Sequence, residues 1–263
     1  MPDLHAAIDL SVILITRNES RHVLDCLQSV AFADEWIVVD SGSSDDTRER
    51  AEAFGARVER TTDWPGFGPQ KNRALALARG RWVLSIDADE RVTPALASQI
   101  RAVVDGGTSG PAGYELSRLS RFCGQWMRHG DWYPDRVLRL FRRGEGRFSD
   151  DLVHESVQVA GPVGRLQGDL LHETMDDLDE ALAKMNRYTS GRARDLVRAG
   201  RRGSVGSAVG HAAWAFVRCY ILRRGFLDGR LGFVLAVYVA EGTYHRYLKM
   251  WLLARQPDRS TLQ

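Results

Sequence analysis

Apolar residues in the first third of the chain fall in short β-branched runs, and each run stops at a polar or acidic residue before helical spacing begins. Residues 10–16 carry Leu10, Val12, Ile13, Leu14 and Ile15 and end at Thr16, which predicts a buried strand. Arg17-Asn18-Glu19-Ser20 breaks that run, and Val23, Leu24, Leu27 and Val30 then recur at helical intervals. Residues 36–39 repeat the strand signal and stop at Asp40; Ser41-Gly42-Ser43-Ser44 follows, with Ser44 placed to cap a helix through Phe54. A third strand is expected at 56–59, a helix at 69–78 stopped by Gly80, and a fourth strand at 82–86. Strand and helix units in this succession imply a parallel sheet, which collects ligands at the carboxyl ends of its strands. Thr16, Asp40 and Asp87 stand at such ends.

Past Pro94 the pattern gives a helix to about Val104, a Gly-rich loop at 105–111, and strands at 114–117 and 137–141. Between them, 125–135 carries Trp126, Trp132 and Tyr133 beside Arg128 and His129. That mixture suits stacking on a sugar ring and pairing with an anionic acceptor, or equally a loop pinned by buried tryptophans. After His172 the spacing turns helical over 176–199, 205–222 and 231–253. The longest apolar run there, 231–240, has ten residues. A bilayer needs about 20, so no spanning helix is expected from it. Trp214, Phe216, Tyr220, Phe226, Tyr247 and Trp251 are interleaved with Arg218, Arg223, Arg224, Arg230, Arg246 and Lys249, a composition of helices lying on anionic headgroups, with core packing as the competing reading.

With 44% hydrophobic and 27% charged residues among 263, the chain is expected to fold as an α/β domain over 1–175 with a helical extension over 176–263. Its net charge of +2 hides a polarity: 1–183 holds 21 basic and 30 acidic residues, while 184–263 holds 15 and 4. A basic end beside an acidic body points to an anionic partner, a membrane surface or a phosphorylated substrate. Nucleic acid is not expected, since no helix-turn-helix, zinc-finger or RNP pattern is present. Cys26, Cys123 and Cys219 form no ligand or redox motif and read as reduced thiols. Neither a basic n-region nor a long apolar h-region opens the chain, so a cytoplasmic protein is expected.

The chemistry concentrates at Val83-Leu-Ser-Ile-Asp-Ala-Asp-Glu90, an apolar run ending in Asp87-x-Asp89. Carboxylates at i and i+2 of a strand leave the same face and make a site for a hard divalent cation, which favours phosphate oxygens as its other ligands. Asp40 at a strand end suits a base or ribose contact, or a simple loop cap, and Gly42 allows close backbone approach.

Ser11-Val-Ile-Leu-Ile-Thr-Arg-Asn-Glu19, Ile37-Val-Val-Asp-Ser-Gly-Ser-Ser-Asp45, Gly66-Phe-Gly-Pro-Gln-Lys-Asn72 and Leu84-Ser-Ile-Asp-Ala-Asp-Glu90 together resemble the inverting glycosyltransferase family 2. Trp132-Tyr-Pro-Asp135, Arg139-Leu-Phe141, Val153-His-Glu155 and Phe226-Leu-Asp-Gly229 extend the resemblance toward its lipopolysaccharide core β-1,4-glucosyltransferase branch. The resemblance implies a GT-A nucleotide-diphospho-sugar transferase fold, Rossmann-like with a mostly parallel sheet. It implies Mg²⁺ or Mn²⁺, held directly by Asp89, with Asp87 shared between ribose and the metal's water shell. Thr16, Arg17, Asn18, Glu19, Asp40, Gly42, Lys71 and Ala88 are the implied donor neighbours, Lys71 meeting the diphosphate. The family's usual Glu-Asp pair is absent, and Glu155 is the base expected in its place, with Asp150 and Asp151 as alternatives. His154 and His172 offer metal ligands, but a histidine beside a strand is more often a hydrogen-bonded core or surface residue, and that reading is preferred. The expected activity is hexose transfer, glucose from UDP-glucose, to an inner-core sugar of lipopolysaccharide, lipooligosaccharide or a similar lipid-linked glycan at the inner face of the cytoplasmic membrane. Transfer to polyprenyl phosphate and non-catalytic nucleotide-sugar binding are the alternatives.

Overall fold

Strands β1 (Leu10–Thr16), β2 (Glu35–Asp40), β3 (Arg57–Arg60) and β4 (Trp82–Ser85) pair in parallel, in the order β3-β2-β1-β4, in a computed structural model that describes residues 8–149 and 156–255. Their side chains alternate between two apolar layers. Val12, Leu14, Val38 and Leu84 enter one, and Ile13, Ile37, Val39 and Val83 enter the other. Burial on both faces is why β1, β2 and β4 read as continuous apolar runs rather than alternating ones, whereas edge strand β3 is largely exposed and polar. Helices α1 (Val23–Ser29), α2 (Thr47–Phe54) and α3 (Phe67–Leu77) make the crossovers. The chain grows from β1 outward through β2 and β3, and inward from β1 to β4, so the strand order reverses between β1 and β4. Such a reversal opens a crevice at the carboxyl ends of the two strands.

Beyond β4 the sheet changes character. Short β5 (Glu90–Val92) leads into α4 (Pro94–Asp105), whose N-cap Thr93 accepts the Leu96 amide. Then come β6 (Gly113–Phe122), β7 (Gln125–Trp126), β8 (Asp135–Arg142), β9 (Gly146–Phe148), β10 (Val157–Val159) and β11 (Val163–Met175). The main sheet continues β4-β8-β6-β11-β5, with β8 antiparallel to β4 and β5 antiparallel to β11. The expectation of a mostly parallel sheet therefore holds for its first four strands. The expected cap for α2 is also displaced: Asp46, not Ser44, occupies the N-cap, because the amide and hydroxyl of Ser44 are both directed at Asn18.

Residues group into two compact units, Met1–Arg118 with Asp135–His172, and Leu119–Pro134 with Glu173–Gln263. The second is built on α5 (Leu178–Arg198), α6 (Val205–Val217) and α7 (Gly229–Leu253). Asp177 caps α5, and Ser204 with Ser207 forms a reciprocal capping box on α6. A π turn, Arg218–Leu222, continues α6. Helix α7 packs along α5, with the Tyr238 hydroxyl donating to the Ala181 carbonyl and Lys249 Nζ to Asn186, Thr189 and Ser190. Helix α6 runs antiparallel along α7, with His211 stacked on Tyr247 at 4.3 Å and Phe216 against Phe233 at 5.7 Å. Of the two readings of the aromatic loop, burial applies to Trp132, which packs edge-on against Phe122 and Tyr238. The His129 amide and Nδ1 both engage the Asp228 carboxylate.

Candidate active site

Two loops at the carboxyl ends of β1 and β2 are laced to each other by side-chain hydrogen bonds. Asn18, at a left-handed φ of 57°, turns its side-chain oxygen to the Ser44 amide at 2.8 Å, and its own amide donates to Ser43 Oγ at 2.8 Å. The Glu19 amide donates to Thr47 Oγ1 and the Ser20 amide to Asp45. Asp40 lies fully buried beneath them and accepts from the Gly42 and Ser43 amides, Thr16 Oγ1 and the Ser43 hydroxyl. Four donors occupy all of a carboxylate's lone-pair sites. Gly42 sits at φ 83° with open space around the position a Cβ would take, and Arg17 is exposed.

Asp45 is held down to about 2 by the Thr47 side-chain hydrogen bond, with further bonds from Ser20. A depressed carboxylate contributes stability above its unfolded pKa near about 4 and loses it as pH falls through the folded value. The stability gap between wild type and Asp45→Asn, measured by urea unfolding, should therefore close between about pH 4 and pH 2. A gap independent of pH would assign the effect to something other than these bonds.

Strand β4 ends at Ser85, and Asp87 and Asp89 sit in the turn that follows. The expectation that both leave one face of a strand is thus corrected, since strand alternation stops before them and each goes to different partners. Asp87 Oδ1 is 2.9 Å from Lys71 Nζ, and its Oδ2 accepts from Arg139 Nη2 at 2.5 Å. The same Nη2 donates to Glu90 Oε1 at 2.6 Å, while the Asp87 amide donates to Glu90 Oε2. Glu90 is fully buried, and Lys71 and Arg139 nearly so. Burial alone would raise the Asp87 pKa; the Arg139 and Lys71 charges outweigh it and hold the carboxyl well below its usual range. Arg118 Nη1 also lies 3.6 Å from Glu90 Oε1 and is shared with Asp135, so three acids and three cations balance here.

Asp89 goes elsewhere. Its Oδ2 lies 3.3 Å from His172 Nε2, near the end of β11. Register explains the meeting: β5 begins at Glu90, and His172 pairs with Glu90 across the β5–β11 ladder. The Asp89 carboxylate oxygen suits Mg²⁺ or Mn²⁺, whereas the imidazole nitrogen beside it is a ligand for Mn²⁺ rather than for Mg²⁺. Asp87, whose oxygens already hold two cations, does not complete the set as it stands. Among the described residues no group of three or more His, Cys, Asp or Glu could ligate a metal, so phosphate oxygens and water would fill the remaining positions.

Next to Asp87 opens a cleft of about 300 Å³ lined by Lys71, Arg118, Arg136, Arg139, Phe148 and Ser156 among others. Arg118 is tied to Asp135 at 2.6 Å, and Arg136 reaches Ser117 Oγ at 3.4 Å. Its wall at β9 is fixed to α3 by Asn72, which exchanges two 3.0 Å hydrogen bonds with the Phe148 backbone as a peptide would. Asn72→Ala strands both backbone groups and should cost about 1–3 kcal/mol in urea unfolding. Glu155, Asp150, Asp151 and His154 lie outside the described residues. Ala88 is buried within the turn.

Local sequence assigns no role to Arg139 or Glu90, and it offers His172 as a ligand only as the less favoured of two readings. A signal existed for the first: an arginine within the strand run Val137–Phe141 implies a buried acid facing it. No local pattern places His172 beside Asp89, because they are brought together across the sheet.

The strand-order reversal, the carboxylate–histidine pair across the β5–β11 ladder and the cationic cleft at Asp87 fit the GT-A type of fold expected from the sequence. Residues 11–143 match the family described as Glycosyl transferase family 2, and the chain belongs to that family. A Rhizobium meliloti protein, Lipopolysaccharide core biosynthesis glycosyltransferase LpsC, is 29% identical over 91% of this chain and 93% of its own length. An uncharacterized glycosyltransferase of Rickettsia conorii, RC0292, is 30% identical over 92% of this chain and 89% of its own length. Among solved structures, Staphylococcus aureus TarS 1-349 aligns over 96% of this chain and 93% of that one, at 16% identity and TM-score 0.48. Glucosyl-3-phosphoglycerate synthase from Mycobacterium tuberculosis, in complex with Mn²⁺, UDP and glucosyl-3-phosphoglycerate, aligns over 44% of this chain and 46% of that one, at 30% identity and TM-score 0.35.

Proposed function

We propose that this family 2 glycosyltransferase moves a hexose with inversion, glucose from UDP-glucose, onto an inner-core sugar of lipopolysaccharide or a comparable lipid-linked glycan. The observation that carries the reading is the Asp89–His172 pair, two residues beyond the Asp87 that lines the cationic cleft. The similarity to a lipopolysaccharide core transferase over nearly the whole of both chains supports the acceptor class. A divalent cation held by Asp89 and His172 would stabilise charge on the departing diphosphate.

The chain's own residues do the rest. Lys71 and Arg139 are held rigidly by Asp87 and Glu90, so their charges are oriented before the donor arrives and need no reorganisation. The loops bearing Thr16 to Glu19 and Asp40 to Gly42 would enclose the nucleoside, with Ala88 in the turn beneath it. The base that takes the acceptor proton is drawn from Glu155, Asp150 and Asp151, the acids following β9.

A thermal-shift series with UDP-, GDP- and dTDP-sugars, with and without Mn²⁺, tests the donor, because a ligand selective for the folded state raises apparent stability by mass action. Stabilisation by GDP- or dTDP-sugars alone would overturn the uridine assignment. Transfer to polyprenyl phosphate but not to core acceptors would move the acceptor class.

The same reading places the protein peripherally at the inner face of the cytoplasmic membrane. One helical stretch, Val205–Leu222, is long and apolar enough to cross a bilayer by length and composition. Crossing as a hairpin with α7 would drag Arg218, Arg223, Arg224 and Arg230 through the hydrocarbon. At about 2.5–3.5 kcal/mol each, that cost favours lying in the interface.

A further inference from the structure

Helix α6 carries no Asp, Glu, Lys or Arg from Val205 to Val217, yet only 17% of the stretch Val205–Leu222 is buried. Val209, Trp214 and Ile221 are 57%, 54% and 51% exposed, and Leu222, Phe233 and Leu227 continue the exposed apolar surface onto the π turn and the start of α7. Between the two helices runs an open groove of about 390 Å³, lined by Val209, Ala212, Phe216, Val237, Ala240 and Tyr244 among others and almost wholly apolar. Apolar side chains left exposed around most of one helix and along the groove beside it mark a surface meant to be covered.

Charge says by what. Exposed Arg201 and Arg202 precede α6, and exposed Arg223, Arg224 and Arg230 follow it. None of these five has a carboxylate partner among the described residues. Arginines bracketing an apolar helix at both ends match a helix lying flat, with its guanidinium groups at anionic phosphates and its apolar face among acyl chains. The distal half of α7 is used differently: Lys249 is spent on α5 and Tyr247 on His211.

We propose that α6, the π turn after it and the first half of α7 form the surface on which the protein enters an anionic bilayer, while the basic and aromatic positions of 246–251 serve packing. This rests on the membrane reading given above and assigns that reading to one face. Interfacial affinity scales with the apolar area inserted plus attraction to anionic lipid, so both can be removed separately.

The test is cosedimentation of the full chain with phosphatidylcholine vesicles, with and without phosphatidylglycerol, at low and high salt. Wild type should bind the anionic vesicles. Val209→Ser/Trp214→Ser/Ile221→Ser should bind at least about tenfold more weakly, and Arg223→Ala/Arg224→Ala/Arg230→Ala should lose the dependence on phosphatidylglycerol and salt. Trp251→Ser/Leu252→Ser, at the far end of α7, should bind as wild type does. Thermal unfolding of the α6 variant should be unchanged, since its substituted side chains are more than half exposed. Binding retained by the α6 variant and lost by the tail variant would overturn this inference and leave the membrane reading standing. No binding by wild type would remove both. A concentration-dependent dimer in light scattering, abolished by the α6 substitutions, would assign the face to a second copy instead.

Discussion

An Asp89→Ala protein should lose transfer almost completely, with kcat/KM down by about a thousandfold or more, the scale on which removing electrostatic stabilisation of a leaving group acts. The geometry makes this residue decisive. Asp87 is committed to Lys71 and Arg139, so it does not stand ready to replace Asp89 beside His172. His172→Ala should lower Mn²⁺ affinity in the presence of UDP by at least about 10–100-fold, since outer partners of metal ligands alone are worth that much. Calorimetric titration of Mn²⁺ separates a lost binding site from a lost fold. Full transfer activity in Asp89→Ala would defeat the assignment of the metal site, and unchanged Mn²⁺ affinity in His172→Ala would remove the histidine from it.

The second large effect falls on stability. Arg139→Ala takes the nearest cation from buried Glu90, leaving only Arg118 Nη1 at 3.6 Å, and deprives Asp87 of half its pairing. Breaking a buried pair in this way costs about 3–5 kcal/mol, mostly for the stranded charge rather than for the lost attraction. For a chain of this size each kcal/mol lowers the melting midpoint by about 2–4 °C, so a fall of more than about 6 °C is expected. Adding Glu90→Gln to Arg139→Ala should recover part of the loss, because the amide removes the unpaired charge. If the double variant is less stable than Arg139→Ala alone, the charge account fails and lost packing is the better explanation.

How much of this was legible along the chain depends on how local each feature is. The parallel half of the sheet announces itself because β1, β2 and β4 are apolar runs that give way to polar residues, and all three fall within a residue of expectation. Strand β11 was invisible, since Val163–Met175 alternates charged and apolar residues under the influence of partners far away in sequence. Its absence from the expectation hid the Asp89–His172 pair as well. The Asp87-x-Asp89 motif was found, but its strand-face rationale was wrong. The chain leaves β4 before Asp87, and the turn sends one acid to the cations and the other to the histidine. The helical extension was visible from spacing, whereas the division of its basic and aromatic residues between exposed α6 and packed α7 is a tertiary fact.

Asp40 has a consequence for selectivity. Since Thr16, Gly42 and Ser43 already fill its lone pairs, a nucleoside reaching for this carboxylate must evict a resident hydrogen, and the transaction is an exchange with little net gain. Discrimination between one nucleobase and another would then rest on the contour of the lip around Gly42, where space is open. Ser43→Ala frees one of those lone pairs and should strengthen rather than weaken any contact a nucleoside makes with Asp40, as read by thermal shift with UDP.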